Sequence, residues 1–138
     1  MWLGGIAPSE LRRVGRLADG WLPSFVTPDD ASRGREAIET ALQQHGRSID
    51  DDHYGALIPY ATGPVPDAVL AGLAKRRPDL DPNDLVPQGW DALMSLIDRF
   101  VAVGTSKFVV LPIVEPRSPD DWVAPLEEAA PIVLARQT

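Results

Sequence analysis

The stretch that decides the fold is WLGGIAPSE, residues 2–10, at the beginning of the chain. It predicts a short buried strand that ends in Gly4 and Gly5 and turns directly into a helix, with Pro8 at the first helical position. Paired glycines at such a turn let the backbone bend sharply and bring its N–H groups close to a ligand. The remainder of the chain repeats this strand-turn-helix unit, so the unit sets the fold class.

The start of the helix after the two glycines favours an anion, because its first N–H groups have no intrahelical acceptor and lie at the positive end of the helix dipole. This geometry predicts a phosphate-binding turn at Gly4 and Gly5. A Gly-Gly pair is also common as plain turn geometry, and Glu10 in the first helical turn opposes a phosphate by like charge. Both interpretations stay open from the residues alone.

The composition is that of an ordinary globular domain. The chain has 138 residues, of which 44% are hydrophobic and 24% are charged, which is enough for one domain with one core. Its 13 basic and 20 acidic residues give a formal net charge of −7, and the basic residues are scattered. Nucleic acid and anionic membranes are therefore not expected partners, and an anionic ligand needs a local site.

The sequence has no cysteine, which excludes disulfides and thiolate chemistry, and no apolar run near the roughly 20 residues of a membrane span. We expect no targeting segment and a cytoplasmic location. His45 and His53 have no partner at ligand spacing, and the acidic run at 50–52 lacks the oxygen spacing of a calcium loop. No metal site is therefore predicted.

Hydrophobic periodicity predicts four strands separated by helices. The strands are the opening stretch and residues 21–26, 54–61 and 107–113. The first helix is expected to run from Pro8 to about residue 19, where Gly20 stops it.

Two later helix starts share a hydroxyl-proline-acid pattern, which supplies a cap, a fixed first residue and negative charge at the positive end of the helix. They are Thr27-Pro28-Asp29 and Ser118-Pro119-Asp120. Gly46 is expected to end the second helix and Gly104 the fourth, which has the clearest apolar stripe. Trp90 and Trp122 lie on such stripes and are predicted to be core residues.

Residues 62–89 are predicted to be a loop and helix insertion within a single partial domain that covers 1–138. The insertion contains a helix through 69–74, which Pro78 closes. The acidic, proline-broken segment 79–88 is expected to lie over the surface rather than in the core.

The alternation of strands and helices indicates an α/β fold with four parallel strands and flanking helices. Four such units make half of a TIM-like (β/α)8 barrel or a small open sheet. In either arrangement, ligands bind at the carboxyl ends of the strands. The sequence places residues 4–5, 24–25, 60–62 and 113–117 on that side.

Several short motifs, in matching order and spacing, resemble the luciferase-like monooxygenase family, and within it the oxidoreductases that use coenzyme F-420, a 5-deazaflavin. The motifs are residues 2–5 (WLGG), 16–23 (RLADGWLP), 46–47 (GR), 103–104 (VG) and 107–110 (KFVV). The family has a TIM-like barrel of about twice this length. The resemblance therefore implies that this chain covers the C-terminal half, strands five to eight.

The resemblance also implies a cofactor site. In the family, a Gly-Gly pair after the fifth strand helps to hold the cofactor phosphate through backbone N–H groups. Carried over, this role falls on Gly4 and Gly5, with Ile6 and Ala7 as neighbours. The implied cofactor is coenzyme F-420, with FMN as the alternative, and the implied reaction is hydride transfer between the cofactor and a small organic substrate.

No catalytic residue is predicted. Arg117, just beyond the last strand, is a candidate for holding an anionic group of the substrate or cofactor. The alternative for Arg117 is an ordinary surface arginine that pairs with Glu115 or Asp120.

The first half of the barrel, which in the family supplies much of the wall around the flavin ring, is absent from this sequence. Half a barrel leaves two strand edges and an apolar inner face uncovered. The expectation is a fragment or split half that is inactive alone and forms a homo-oligomer or pairs with a separate N-terminal half chain. Two alternatives are a non-enzymatic α/β interaction module that pairs with another chain through its sheet edges, and an unrelated small α/β phosphate binder.

Overall fold

The computed structural model of the protein describes residues 1–114 and 117–136. Strands and helices alternate along these residues. The strands are β1 (Trp2–Leu3), β2 (Gly20–Trp21), β3 (Gly55–Tyr60) and β4 (Lys107–Pro112). The helices are α1 (Pro8–Leu17), α2 (Pro28–Gln44), α3 (Asp67–Arg76), α4 (Trp90–Ala102) and α5 (Val123–Leu134).

All strand pairings are parallel, but the strands do not form one continuous sheet. β1 pairs with β2, and β3 pairs with β4. Single bridges from Trp21 to Tyr54 and from Ser24 to Leu57 connect the two pairs. Pro23 has no N–H to donate between these bridges, although its carbonyl accepts from Leu57 N–H at 2.9 Å. The four parallel strands that were expected to pair side by side therefore form two separate pairs, which only single bridges connect.

The helices cover one face of each strand pair. Trp21 of β2 packs against Val14 of α1 and Ile38 of α2, and all three side chains are buried. Ala56 and Ile58 of β3 pack against α4. The predicted apolar stripes of α2 and α4 are confirmed, since both helices bury them.

The opposite side of the strands, which we call the inner face, is only partly covered. Side chains alternate between the two sides of a strand. On β4, Val110 packs against the core, while Val109 and Leu111 lie on the inner face and are 43% and 42% exposed. On β1, Leu3 packs against the α1 and α2 cluster, so Trp2 lies on the inner face, where it is 37% exposed.

Most of the predicted helix boundaries are confirmed, but that at Gly20 is wrong. α1 ends at Leu17, and Gly20 lies in β2 opposite Trp2. A Cβ at Gly20 would lie 2.5 Å from the Trp2 ring, so close packing rather than a left-handed turn requires glycine. Gly46 and Gly104 do end their helices, with φ of 62° and 88°.

The two tryptophans expected in the core lie at its margin. Trp90 and Trp122 are both half-buried. The Nε1 of Trp90 donates a hydrogen bond to Glu128 at 2.9 Å, and its ring packs against Tyr60. An indole N–H needs a polar partner, which keeps Trp90 at the rim of the core.

The segment 79–88, expected over the surface, is partly buried instead. Leu85 and Val86 are 3% and 1% exposed and pack with α3 in a third apolar cluster. Phe25 and Ile113, which follow the carboxyl ends of β2 and β4, pack against the same cluster. The prolines keep segment 79–88 from forming an α-helix, but they do not prevent its apolar side chains from being buried. The insertion therefore contacts the carboxyl side of the strands.

We expect Gly34→Ala to destabilise the protein, although alanine favours a helix. A Cβ at Gly34 would lie 2.3 Å from the buried Trp21 ring, and such overpacking costs about 1–3 kcal/mol. Gly72→Ala in α3 is the matched control, because no atom lies within 4 Å of its Cβ position. It should stabilise by about 0.5–1 kcal/mol. Urea unfolding of both variants measures the difference, and equal stability would contradict the close packing.

Candidate functional site

The Gly4–Gly5 turn connects the end of β1 to the start of α1. Gly5 has a φ of 91°, in the left-handed region that L side chains rarely adopt. Its carbonyl accepts a hydrogen bond from the Nε1 of Trp21 at 3.0 Å. A Cβ at Gly4 would lie 3.0 Å from the carbonyl oxygen of Leu22. The turn is therefore held against β2, and both positions require small residues.

The backbone donors of this turn hold a carboxylate of the chain itself. Glu10 Oε2 accepts from the N–H of Ile6 at 3.1 Å and from the N–H of Ala7 at 2.9 Å. A Cβ at Gly5 would lie 2.4 Å from the same carboxylate. The N–H groups of Ile6 and Ala7, just before α1, thus bind an anion, and that anion is the Glu10 carboxylate of the same chain.

A cleft of about 400 Å³ adjoins the turn. It lies at the carboxyl ends of β1 and β2, the side where ligands are expected. Its lining residues are Gly5, Ile6, Glu10, Ser24, Phe25, Arg76 and Arg77. The cleft thus brings the glycine turn together with Ser24 and Phe25, which the sequence placed on the same side, and adds two arginines.

Arg77 is a structural cation in the wall of the cleft. Its side chain is 10% exposed, and it donates to Asp30 at 3.0 Å, to Asp79 at 2.7 Å and to the Phe25 carbonyl at 2.7 Å. The hydrogen bonds from Arg77 lower the pKa of Asp79 to about 2. Burial alone would raise the pKa of Asp30, but hydrogen bonds from Thr27 and Arg77 lower it. The charge of Arg77 is therefore compensated within the protein.

Arg76 is exposed, and its guanidinium lies over the Phe25 ring, 4.6 Å from the ring centre. Phe25 itself has a φ of 57°, which is strained for a bulky residue. Among the described residues, Arg76 makes no ion pair with an acidic side chain. It is the cation of this cleft that an anionic ligand can reach.

Neither arginine was predicted from the sequence as part of a site. A helix that directly follows a strand normally runs back along the outside of a barrel, so the end of α3 was not expected at the ligand side. The signal is that two helices, α3 and α4, lie between β3 and β4. A single helix is enough to connect two parallel strands. The additional helix, α3, therefore belongs to the loop at the carboxyl end of β3.

Arg117 is exposed and does not line this cleft. Glu115, one of the two carboxylates considered as its partner, lies outside the described residues. Residues 60–62 also lie outside the cleft lining. The structure therefore does not bring Arg117 together with the glycine turn within one chain.

The structure places one group of possible metal ligands near the opposite end of β3. Oxygen atoms of Asp50 and Asp52 and a ring nitrogen of His53 lie within 4.8 Å of one another. The expectation that His53 has no partner at ligand spacing is thus wrong, because two carboxylates lie at such a distance. Lys107 Nζ binds Asp52 at 2.9 Å, so part of the negative charge of this group is already neutralised. An exposed acidic group of this kind is common without a metal.

A larger cleft, of about 890 Å³, lies beside the amino end of β4. Its lining includes Thr105, Lys107, Met94 and Val133. This cleft is away from the carboxyl ends of the strands, and α4, β4 and α5 form its largely apolar wall.

Comparison with known proteins supports the fold. No protein-family model matches the chain. Curated relatives are the phthiodiolone/phenolphthiodiolone dimycocerosates ketoreductases of Mycobacterium tuberculosis and Mycobacterium kansasii, which are 42% identical over 48 residues. That segment is 34% of this chain and 13% of each relative.

Solved structures match along almost the whole chain. An F-420-dependent secondary alcohol dehydrogenase in complex with an F-420-acetone adduct has a TM-score of 0.63 at 13% identity, covering 96% of this chain and 48% of that one. The coenzyme F-420-dependent tetrahydromethanopterin reductase from Methanopyrus kandleri has a TM-score of 0.65 at 18% identity, covering 99% and 50%. The chain has a luciferase-like fold. This confirms the resemblance read from the sequence at the level of the fold.

A flavin enzyme shows the same luciferase-like fold. The oxygenating constituent of 3,6-diketocamphane monooxygenase from Pseudomonas putida, in complex with FMN, has a TM-score of 0.57 at 12% identity, covering 99% of this chain and 48% of that one. The chain thus spans about half the length of these structures, which agrees with the predicted C-terminal half of a barrel. In the described residues, every helix is too short or too polar to cross a bilayer.

We expect Arg77→Met to lower the free energy of unfolding by about 1.5–3 kcal/mol, because the Phe25 carbonyl and Asp30 Oδ2 would lose a charged donor, although Arg33 still pairs with Asp30. Arg76→Met is the matched control and should lower stability by at most about 1 kcal/mol, since Arg76 is exposed and loses only its contact with the Phe25 ring. Urea unfolding at neutral pH compares them. Equal stability of the two variants would contradict the structural role of Arg77.

The same ion pairs predict a pH dependence. The pKa values of Asp30 and Asp79 are lowered by folding. The stabilisation that these two carboxylates give the folded protein is therefore complete above the ordinary carboxyl pKa of about 4. It is lost as the pH falls through the folded values. The melting temperature of the native protein should therefore fall as the pH is lowered from about 4 to about 2. Arg77→Met should show a smaller fall over the same pH range.

Proposed function

We propose that this chain is the C-terminal, phosphate-holding half of a luciferase-like oxidoreductase that uses coenzyme F-420, with FMN as the alternative cofactor. The single observation that supports this most directly is the glycine turn at the carboxyl end of β1, whose N–H groups bind an anion. The solved structures with the same fold include two F-420-dependent enzymes and one in complex with FMN. The site residues of this proposal are Gly4, Gly5, Ile6 and Ala7.

The hydrogen-bond donors of the turn suit a phosphate group, but the Glu10 carboxylate already occupies them. The N–H groups of Ile6 and Ala7 point at one oxygen, the arrangement that a phosphate oxygen needs. Glu10 fills this position, and a second anion beside it would be repelled. Arg76 supplies positive charge on the other side of the cleft. A phosphate can therefore bind only if the Glu10 side chain rotates away from the turn.

Once bound, a deazaflavin or flavin would supply hydride transfer to or from an organic substrate. The residues of this chain would hold and orient the phosphate end, with the Gly5 carbonyl kept in place by Trp21. Among the described residues we assign no general acid or base. The ketoreductases matched by sequence favour a carbonyl or alcohol substrate, and Arg117 is retained as a candidate for an anionic group of that substrate.

Catalysis by the chain alone is not expected. The inner face, with Val109 and Leu111 more than two fifths exposed, is only partly covered by the described residues. A hydride transfer site must exclude water and hold two reactants in contact. We propose that the other half of the wall is needed for activity.

The same inner face favours a second candidate function, a non-enzymatic module that pairs with another chain through its strand edges. The occupied turn is compatible with this alternative, because capping the start of α1 is a sufficient role for Glu10. The cofactor titrations below decide between the two functions.

We expect Gly5→Val to reduce binding of FMN and coenzyme F-420 at least tenfold (about 1.4 kcal/mol). A side chain at Gly5 is strained at its φ, and it would take up the space at the turn where a phosphate would bind, because its Cβ would lie 2.4 Å from the Glu10 carboxylate that fills this place. Gly63→Val is the control, because no atom lies within 4 Å of a Cβ there. Fluorescence titration measures both. Unchanged affinity in Gly5→Val would remove the basis of the proposed site.

We expect Glu10→Gln to increase the affinity for the phosphate end of the cofactor by about tenfold. The amide keeps an acceptor for the N–H groups of the turn but removes a charge, and repulsion between charges about 4 Å apart costs about 1–4 kcal/mol near a protein surface. Titration of riboflavin, which lacks the phosphate, should show no such gain. A gain of equal size for riboflavin and FMN would contradict a phosphate at this turn.

A further inference from the structure

The two outer strands have open edges. Among the described residues, β1 pairs only with β2, and β4 pairs in a ladder only with β3. Ile113 N–H donates to the Tyr60 carbonyl, and backbone groups alternate between the two sides of a strand. The N–H groups of Phe108 and Val110 therefore point away from β3. Such an edge is a template for another strand.

The side chains beside these edges are apolar and partly uncovered. On the inner face, Trp2 of β1 is 37% exposed and Val109 of β4 is 43% exposed. The charged inner residue of β4, Lys107, is paired with Asp52 at 2.9 Å. A partner that covers this region therefore meets apolar surface and no uncompensated charge from β4.

We propose that the partner is a second copy of this chain, with β4 of each copy pairing with β1 of the other around a two-fold axis. Rotation about the axis of a barrel keeps every strand direction, so both new pairings are parallel, like those within the chain. The chain spans 48% and 50% of two single-chain structures with the same fold. Two copies therefore supply the eight strands of a closed barrel, which has no edges. This inference rests on the fold and not on the cofactor.

The register of the new seam follows from the pairings within the chain. One lateral row runs through Leu3, Trp21, Tyr54 and Ser106. In an eight-stranded barrel with a shear of about 8, this row is displaced by about four residues per half turn. The displacement places Leu3 opposite Val110 of the other copy. The opposite displacement would place Leu3 against residue 102, which lies in α4 and not in a strand.

The faces of the side chains agree with this register. Leu3 and Val110 both pack against the helix side of the strands. One position earlier, Trp2 and Val109 both lie on the inner face and become neighbours across the seam. An odd displacement would instead oppose side chains of different faces. The seam therefore covers two of the exposed apolar residues with each other.

The test uses this 138-residue chain, which has no cysteine of its own. Light scattering should give a mass twice that of the 15.0 kDa chain. Trp2→Cys mixed with Val109→Cys should form a disulfide-linked dimer under mild oxidation, because neighbouring strands bring Cα atoms within disulfide range. Trp2→Cys mixed with Val101→Cys, on the exposed side of α4, should not.

A charge at the seam provides an independent variant. Val109→Lys should weaken the dimer at least tenfold (about 1.4 kcal/mol) and leave circular dichroism unchanged, whereas Val101→Lys should leave the mass unchanged. A monomeric native chain would overturn the proposal. So would a dimer without the link between positions 2 and 109, or a series of larger assemblies. None of these outcomes depends on cofactor binding, so they are separate from the test of the proposed function.

Discussion

The indole of Trp21 holds the first half of this fold together. It is 1% exposed and packs between α1 and α2, where Gly34 gives it room. Its backbone bridges to Tyr54 of the second strand pair, and its Nε1 fixes the carbonyl of Gly5. One residue thus links the two helices through its side chain, the two strand pairs through its backbone, and the candidate anion turn through its indole N–H. A change at this position would therefore affect the fold and the site together.

The anion turn shows how one geometry serves two purposes. The N–H groups of Ile6 and Ala7, just before α1, need an acceptor, and Glu10 satisfies them within the chain. A ligand phosphate would satisfy the same groups with more charge, but it must first displace an acceptor that is always present at high local concentration. The turn therefore exchanges one anion for another, and the affinity for a ligand is the difference between the two.

Local sequence signals predicted the elements well, because they depend on nearby residues. The cap at Thr27, the glycines at 46 and 104 and the stripe of α4 are examples. What the sequence did not predict depends on contacts far apart in the chain. Gly20 is required by the Trp2 ring, and Leu85 is buried by α3. The glycine turn could be predicted from its own residues, whereas the arginines of the cleft come from a helix about 70 residues away.

The insertion has a small apolar core of its own, centred on Leu73 and Leu85, and a buried arginine joins it to the strand wall. Its packing against the wall involves residues that follow the strands, such as Phe25 and Ile113, rather than the strands themselves. Natural variation in its length and side chains can therefore accumulate without altering strand register. Exchanging this one segment would replace the Arg76 and Arg77 side of the cleft, while the anion turn and the strand wall beneath it stay the same.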